Sequence, residues 1–179
     1  MTWQDVTKRN LLFQHLAATV ADIRTVTPQT PIAISGFTGA RMDPAALADF
    51  WFDLLDTSGI NMMMMQDGFG VHQGTIPPDS LALYMASLKH AAEAAGARFD
   101  TIVEVFTQVS GPPINNEAYG FVPAEFSRIP DQLVLAQQYS TNRVAFSMPE
   151  YMSSGGPPSA GALYRSYVLW LLDQCGPGS

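Results

Sequence analysis

Short apolar runs alternate along this chain with longer segments in which apolar residues recur every three or four positions. Short runs bounded by Pro and Gly are typical of buried strands, and the wider spacing is typical of amphipathic helices. Strands are predicted at 31–37, 60–67, 99–106 and 143–148. A helix is predicted after each strand, at about 43–58, 79–95, 125–138 and 159–174, and a further helix over the first 25 residues.

A strand followed by a helix, four times over, is the pattern of parallel strands joined by crossover helices. The predicted fold class is therefore α/β, with four βα units. A complete (β/α)8 barrel takes at least about 200 residues, so 179 residues favour an open sheet or half of a barrel. Residues 1–30 are expected to be an N-terminal helix and linker, 31–175 the (βα)4 domain and 176–179 a disordered tail.

Some local features make finer predictions. Thr2 and Asp5 have the spacing of a capping box, and Asp43 followed by Pro44 is a strong helix start that Gly59 would end. The four Met residues at 62–65 are interpreted as part of a strand buried on both faces. Residues 107–123, rich in Gly, Pro and Asn, are expected to be a long irregular loop.

The first helix is expected to bury a stripe made of Leu12, Leu16, Val20 and Ile23.

Composition removes several function classes. The net charge of −7 gives an acidic surface, which repels phosphate backbones and anionic lipids, so neither nucleic acid nor a membrane is an expected partner. No stretch reaches the roughly 18–20 apolar residues of a membrane span. The single cysteine, Cys175, excludes an intrachain disulfide. Gln14 and His15 interrupt the N-terminal apolar stretch, so no signal peptide is expected; the default location is cytoplasmic, or secreted if the N-terminus is truncated.

Polar residues stand where the predicted strands end, and parallel α/β folds gather their reactive groups there. Glu104 is the main candidate for a catalytic acid. It lies between Val103 and Val105, where a carboxyl group is costly to desolvate without a partner or a purpose. The alternative is a structural ion pair with Arg128 or Arg143.

Asp67 is the second candidate acid. Neighbouring strands lie about 4.8 Å apart, so the carboxyl groups of Asp67 and Glu104 are expected roughly 5 to 9 Å apart, a range that includes both glycosidase geometries. One acid would protonate the leaving oxygen, and the other would attack the sugar or activate water. The alternatives for Asp67 are a turn role, because Asp-Gly is a common turn pair, or binding of sugar hydroxyls.

Further residues near the strand ends are candidates for binding a carbohydrate. Gln66, Ser147 and Tyr151 are candidate hydrogen-bonding residues, and Arg128 is expected to support a strand-end carboxylate. The candidates for stacking on a sugar are Phe69, Tyr119 and Phe121, although ordinary packing is the more common role of aromatic residues.

No cofactor or metal is expected. The segment 68–70 lacks the third glycine of a dinucleotide-binding turn, and no Gly-Lys-Ser/Thr or Gly-x-Ser-x-Gly motif occurs. His72 follows the Asp67 turn, but no third metal ligand accompanies the two.

Four groups of residues carry a resemblance to a known family: 65–71 (Met-Gln-Asp-Gly-Phe-Gly-Val), 103–106 (Val-Glu-Val-Phe), 128–133, and 146–167 with its Phe-Ser, Tyr-Met and Leu-Tyr pairs. Over roughly residues 30–170 the chain resembles a domain-of-unknown-function family of TIM-barrel glycoside hydrolases. The resemblance implies the second half of the barrel, strands five to eight, with Glu104 in the place of the nucleophile of a retaining mechanism. It also implies an acid from strand four, in a first half to which nothing in this chain corresponds.

Three functional hypotheses follow from these observations. The chain is a glycoside hydrolase acting on a polysaccharide or oligosaccharide, a non-catalytic half-barrel, or a carbohydrate-binding protein without turnover. A half-barrel leaves strand edges uncovered, so the second hypothesis expects a homodimer or pairing with a missing N-terminal half.

Overall fold

The computed structural model describes residues 5–37, 42–71, 78–112, 118–140 and 142–175. Within these ranges the helices are α1 (Val6–Val26), α2 (Pro44–Ser58), α3 (Pro78–Ala94), α4 (Arg128–Tyr139), α5 (Met148–Tyr151) and α6 (Pro158–Cys175). The strands are β1 (Ala33–Phe37), β2 (Met62–Gln66), β3 (Arg98–Glu104), β4 (Phe106–Ser110), β5 (Gly120–Pro123) and β6 (Arg143–Phe146). None of the described helices combines the length and apolarity needed to cross a bilayer.

Four of the strands form a parallel sheet in the order β1-β2-β3-β6, and helices alternate with them along the chain. The predicted α/β class is confirmed, and the arrangement is compatible with half of a TIM barrel. In the pairing of β3 with β6, Thr101 lies opposite Arg143 and Glu104 opposite Phe146. Glu104 is therefore the last residue of its strand and stands beside the last residue of the neighbouring one.

The chain divides into two compact units. The first comprises Met1–Met65 and Asp79–Asp100, and the second comprises Gln66–Pro78 and Thr101–Ser179. The domain boundaries expected at residues 30 and 175 stay predictions, and the expected tail at 176–179 lies outside the described residues.

In the first unit, α1 begins one turn later than the capping-box spacing predicts. Asp5 is the N-cap itself and accepts a hydrogen bond from the backbone N–H of Lys8 at 3.1 Å, while Thr2 lies outside the described residues. Phe13 and Val20 are the buried residues of α1, and Phe13 packs on Phe50 with ring centroids 5.4 Å apart. The predicted stripe is thus only partly right, because Ile23 is 39% exposed.

Helices α2 and α3 match their predictions closely, since their signals are local. Asp43 accepts a hydrogen bond from the N–H of Ala46 at 2.9 Å, and Gly59 ends α2 with a positive φ of 71°. Gly96 ends α3 with a φ of 70°. The predicted apolar faces are buried: Leu47, Phe50, Trp51, Leu54 and Leu55 in α2, and Leu81, Tyr84, Met85, Leu88 and Ala92 in α3.

The Met-rich segment is a strand, β2, as predicted, but it is not buried equally on both faces. Met63 and Met65 are fully buried, whereas Met62 and Met64 are half-buried. Successive side chains of a strand point to opposite faces, so one face of β2 is sealed and the other is only partly covered.

In the second unit, the prediction of a long irregular loop at 107–123 is wrong. Its described parts form an antiparallel hairpin of β4 and β5, with Phe106 opposite Pro123 and an irregularity between Gln108 and Ser110. The side chain of Gln108 is buried and donates to three carbonyl oxygens, those of Ser110, Gly111 and Pro112, at 2.8 to 3.0 Å. A buried glutamine whose amide nitrogen is hydrogen-bonded in this way looks like a loop residue in the sequence.

The rest of this unit follows the prediction with shifted bounds. Helix α4 begins at Arg128 rather than at 125, and the last predicted strand ends at Phe146 because the short helix α5 begins at Met148. The peptide bond between Phe146 and Ser147 is cis. The hydrophobic core of the unit contains Val105, Ala124, Ile129, Met152 and Leu163.

Candidate functional site

Two acids lie side by side in the second unit, at the ends of neighbouring strands. Asp67 directly follows β2, and Glu104 is the last residue of β3. The backbone N–H of Asp67 donates to the carbonyl of Ile102 at 2.9 Å, and Oδ1 of Asp67 accepts from the backbone N–H of Glu104 at 3.4 Å. Sheet pairing therefore brings together the two acids that the sequence singles out.

The two oxygens of the Glu104 carboxyl group have different surroundings. The residue is only 1% exposed. Oε2 accepts hydrogen bonds from the backbone N–H groups of Gly70 at 2.7 Å and Val71 at 3.2 Å. Oε1 is buried and has no hydrogen-bond partner among the described residues. One oxygen is thus fixed, and the other keeps its bonding capacity.

Gly70 is required for this arrangement because there is no room for a side chain. A Cβ atom at this position would lie 2.9 Å from Oε2 of Glu104 and still closer to the carbonyl oxygen of Phe106. The carbonyl of Gly70 also accepts a hydrogen bond from the N–H of Gln108 at 2.8 Å. The loop after β2 is thereby held against β4, with its N–H groups directed at Glu104.

Asp67 is 5% exposed, and both of its carboxylate oxygens accept hydrogen bonds. Oδ1 accepts from the N–H of Phe69 at 3.1 Å, in the turn geometry that Asp-Gly favours, as well as from Glu104. Oδ2 accepts from the side-chain amide of Gln132 on α4. Asp67 therefore joins the ends of two strands to a helix.

Arg128 and Gln132 lie one turn apart on α4 and so occupy one face of that helix. Nη2 of Arg128 donates to the carbonyl of Phe106 at 2.6 Å, and its guanidinium carbon stands 5.4 Å from the ring centroid of Phe69. Nη1 of Arg128 and Oε1 of Gln132 are buried without a hydrogen-bond partner among the described residues.

The structural ion pair considered for Glu104 does not form with Arg128. Within the described ranges, the carboxylate of Glu104 takes part in no ion pair with a lysine or arginine. Arg128 is directed instead at the backbone carbonyl of Phe106. The side chain of Arg143 lies outside the described residues.

The surroundings shift the pKa values of all three charged groups. Burial, reinforced by the neighbouring Asp67, raises the pKa of Glu104 to about 7, against the opposing effects of the Gly70 and Val71 N–H groups and of Arg128. Burial raises the pKa of Asp67 to about 6, against the hydrogen bonds that it accepts. Burial also lowers the pKa of Arg128. Glu104 is thus suited to exchange a proton near neutral pH.

The other predicted binding residues take different places. Gln66 is half-buried at the end of β2, and Phe69 lies beneath the guanidinium of Arg128. Ser147 donates to the carboxylate of Glu150, and the ring of Tyr151 packs on Phe106 at 5.3 Å. Outside this group, Tyr119 and Phe121 stack on each other with centroids 6.1 Å apart. His72 and the side chain of Cys175 lie outside the described residues.

Gln132 and the N–H groups of Gly70 and Val71 belong to stretches that carry the family resemblance, but sequence reasoning gave them no role in the site. Gln132 follows Arg128 by one helical turn, and that spacing is the signal that could have pointed to it. Backbone N–H groups leave no such signal, apart from the glycine that makes room for them. Within the ranges that the structure describes, no three His, Cys, Asp or Glu side chains are grouped to hold a metal ion.

A family described as "Domain of unknown function (DUF4434)" matches residues 1–161, a span that includes both acids, α4 and β6. No curated protein and no solved structure matches the chain.

Proposed function

Because the chain belongs to the DUF4434 family, a domain family of unknown function, we propose its function from the site itself. We propose a glycoside hydrolase that acts on a polysaccharide or oligosaccharide by a retaining mechanism, with Glu104 as the nucleophile. The observation that carries this proposal is the Glu104 carboxyl group, which is buried, tied through Oε2 and unpartnered among the described residues at Oε1.

In this mechanism Oε1 of ionised Glu104 bonds to the anomeric carbon while the bond from that carbon to the leaving oxygen breaks. The leaving oxygen keeps the electron pair and takes a proton from an acid. Water then adds to the anomeric carbon while the bond from that carbon to Oε1 of Glu104 breaks, and the conjugate base of the same acid takes the proton that the water loses. The N–H groups of Gly70 and Val71 favour the ionised carboxylate and so partly offset burial and the charge of Asp67, which raise the pKa of Glu104.

Asp67 is a poor proton donor in this arrangement, because hydrogen bonds occupy both of its oxygens. We assign Asp67 a positioning role, because its Oδ1 accepts a hydrogen bond from the backbone N–H of Glu104. The resemblance found in the sequence puts the proton donor in the first half of the barrel. This chain alone is therefore expected to cleave glycosides whose leaving group needs no protonation, such as 4-nitrophenyl and 2,4-dinitrophenyl glycosides.

The test is hydrolysis of a panel of such aryl glycosides by the wild type and by Glu104→Gln. The variant is expected to lose about 10⁴-fold or more in kcat/KM, because it lacks the nucleophile of the covalent step. Glu125→Gln is the matched control, since Glu125 is exposed in the same unit. Azide added to Glu104→Ala should restore turnover and give a glycosyl azide of inverted configuration, because azide replaces a missing nucleophile. Activity of Glu104→Gln within a few-fold of the wild type would refute the assignment.

An open strand supports a second candidate function, a non-catalytic half-barrel that pairs with a second copy or with an N-terminal half. Strand β6 ends the described sheet, and its Val144 and Phe146 are 38% and 45% exposed. Unpaired edges with exposed apolar side chains promote association. Glycan binding that persists in Glu104→Gln without any turnover by the wild type would instead identify a carbohydrate-binding protein.

A further inference from the structure

Three buried polar atoms in the site lack a hydrogen-bond partner among the described residues: Oε1 of Glu104, Oε1 of Gln132 and Nη1 of Arg128. Each belongs to a side chain whose other polar end is tied. Glu104 is held by two backbone N–H groups, Gln132 by Asp67, and Arg128 by the carbonyl of Phe106. The three side chains are therefore fixed in place, and their unpartnered atoms are preorganised.

These atoms belong to one connected group. Gln132 donates to the carboxylate of Asp67, which also accepts from the backbone of Glu104. Arg128 lies on the same face of α4 as Gln132, and its positive charge acts to lower the pKa of both carboxyl groups. Buried polar groups are nearly always hydrogen-bonded in folded proteins, so three such atoms in one group indicate a binding site.

The chemistry of the three atoms is mixed. The amide oxygen of Gln132 only accepts, Nη1 of Arg128 only donates, and Oε1 of Glu104 donates when protonated and accepts when ionised. A ligand that satisfies them must both donate and accept hydrogen bonds. Hydroxyl groups do so, whereas a carboxylate or a phosphate only accepts.

The charges of the site also select against an anion. Two carboxyl groups, Asp67 and Glu104, face one guanidinium, that of Arg128. With both acids ionised the sum is negative, and protonation of Glu104 makes it zero. An anionic ligand would add a further negative charge to a buried place in which one guanidinium already faces two carboxyl groups, which is costly.

We propose that Glu104, Gln132 and Arg128 recognise hydroxyl groups of a neutral sugar and that the site excludes uronates. The inference rests on the proposed function, which makes the ligand a carbohydrate. It adds that the site distinguishes neutral sugars from uronates by their charge. Neutral glycans are thus the expected substrates, and acidic glycans rich in uronic acid are expected to be rejected.

The experiment compares neutral sugars with their uronates by saturation-transfer NMR and calorimetry on the full chain at pH 7.5. The pairs are methyl glucoside with methyl glucuronide, methyl galactoside with methyl galacturonide, and methyl mannoside with methyl mannuronide, each in both anomers. At least one neutral sugar should bind, and its uronate should bind about tenfold more weakly or worse, because like charges in one site repel. Equal or tighter binding of the uronate, or no binding of any neutral sugar, would overturn the inference.

A variant tests whether charge is the cause. Glu104→Gln removes one negative charge, so the preference for the neutral sugar should shrink several-fold, whereas Glu125→Gln should leave it unchanged. An unaltered preference in Glu104→Gln would contradict the inference.

The experiments distinguish failure of this inference from failure of the proposed function. Binding of neutral sugars without hydrolysis of any aryl glycoside would refute the enzyme and keep the inference. Hydrolysis of 4-nitrophenyl glucuronide that is as fast as hydrolysis of 4-nitrophenyl glucoside, and dependent on Glu104, would refute the inference alone.

Discussion

The tightest steric requirement at the site falls on Gly70, whose N–H donates to Glu104. Gly70→Ala would force its methyl group against Oε2 of Glu104 and the Phe106 carbonyl. We expect this substitution to lower the free energy of unfolding by about 1 to 3 kcal/mol, the usual range for overpacking. Urea unfolding followed by circular dichroism measures the loss.

Gly155→Ala is the control, because a Cβ atom there meets nothing within 4 Å. Its free energy of unfolding should stay within about 0.5 kcal/mol of the wild type, as for most surface substitutions. Equal effects of the two substitutions would show that the contact at residue 70 is not what makes glycine necessary there.

The raised pKa values of Asp67 and Glu104 predict a pH-dependent stability. Both groups hold protons more tightly in the folded protein than in the unfolded chain, so the folded state binds more protons between about pH 4 and pH 7. The stabilisation is complete below about pH 4 and is lost as the pH rises to about 7. For Glu104 the loss is on the order of 3 kcal/mol, from an ordinary pKa of 4.5 to about 7.

The measurement is the free energy of unfolding in urea at a series of pH values from 4.5 to 8, for the wild type and for Glu104→Gln. The wild type should lose stability with rising pH, and the variant should lose about half as much, because its amide does not ionise while Asp67, whose pKa is raised to about 6, still does. Parallel curves for the two proteins would mean that Glu104 has an ordinary pKa in the fold.

At the scale of single elements, α2 offers the clearest prediction. The side chain of Asp43 accepts a hydrogen bond from the N–H of Ala46, so Asp43→Ala should lower the free energy of unfolding by about 1 kcal/mol. Asp53→Ala is the control, since Asp53 is exposed on the same helix and is not its cap. Thermal and urea unfolding measure both, and an equal effect of the two changes would argue against capping as the cause.

The helices could be predicted because their signals are local. Asp43, Gly59 and Gly96 fix helix ends through hydrogen bonds or backbone angles within a few residues, and the periodic spacing of apolar residues fixes the buried face. The β4–β5 hairpin could not be predicted, because Gln108 is buried only once three carbonyl groups accept from its amide.

The candidate site shows the same division. The acids Asp67 and Glu104 could be placed at strand ends, since the carboxyl ends of parallel strands meet at one edge. The partners of these acids could not be foreseen: Gly70 lies 34 residues from Glu104, and Gln132 lies 65 residues from Asp67. Tertiary contact decides such pairings: the spacing of Arg128 and Gln132 indicates a shared helix face but does not identify Asp67 as the partner.

At the scale of the whole molecule, self-association is predicted from β6, which ends the sheet within the part of the chain that the structure describes. If two copies pair along this strand, sedimentation velocity should detect a dimer whose fraction grows with protein concentration. Val144→Lys should reduce it, because a charged side chain protects an edge strand. Val134→Lys is the control, since Val134 is equally apolar and is exposed on α4. A wild type that stays monomeric at all concentrations would contradict this prediction and the half-barrel pairing.

The division of the chain into two units limits how the chain can be truncated. The second unit is assembled from two separate stretches, Gln66–Pro78 and Thr101–Ser179. A fragment that starts at Thr101 would keep Glu104 and lose the Gly70 and Val71 amides that hold it. No single uninterrupted piece of the chain yields this unit by itself, so excision would require a circular permutation or a designed joint between the two stretches.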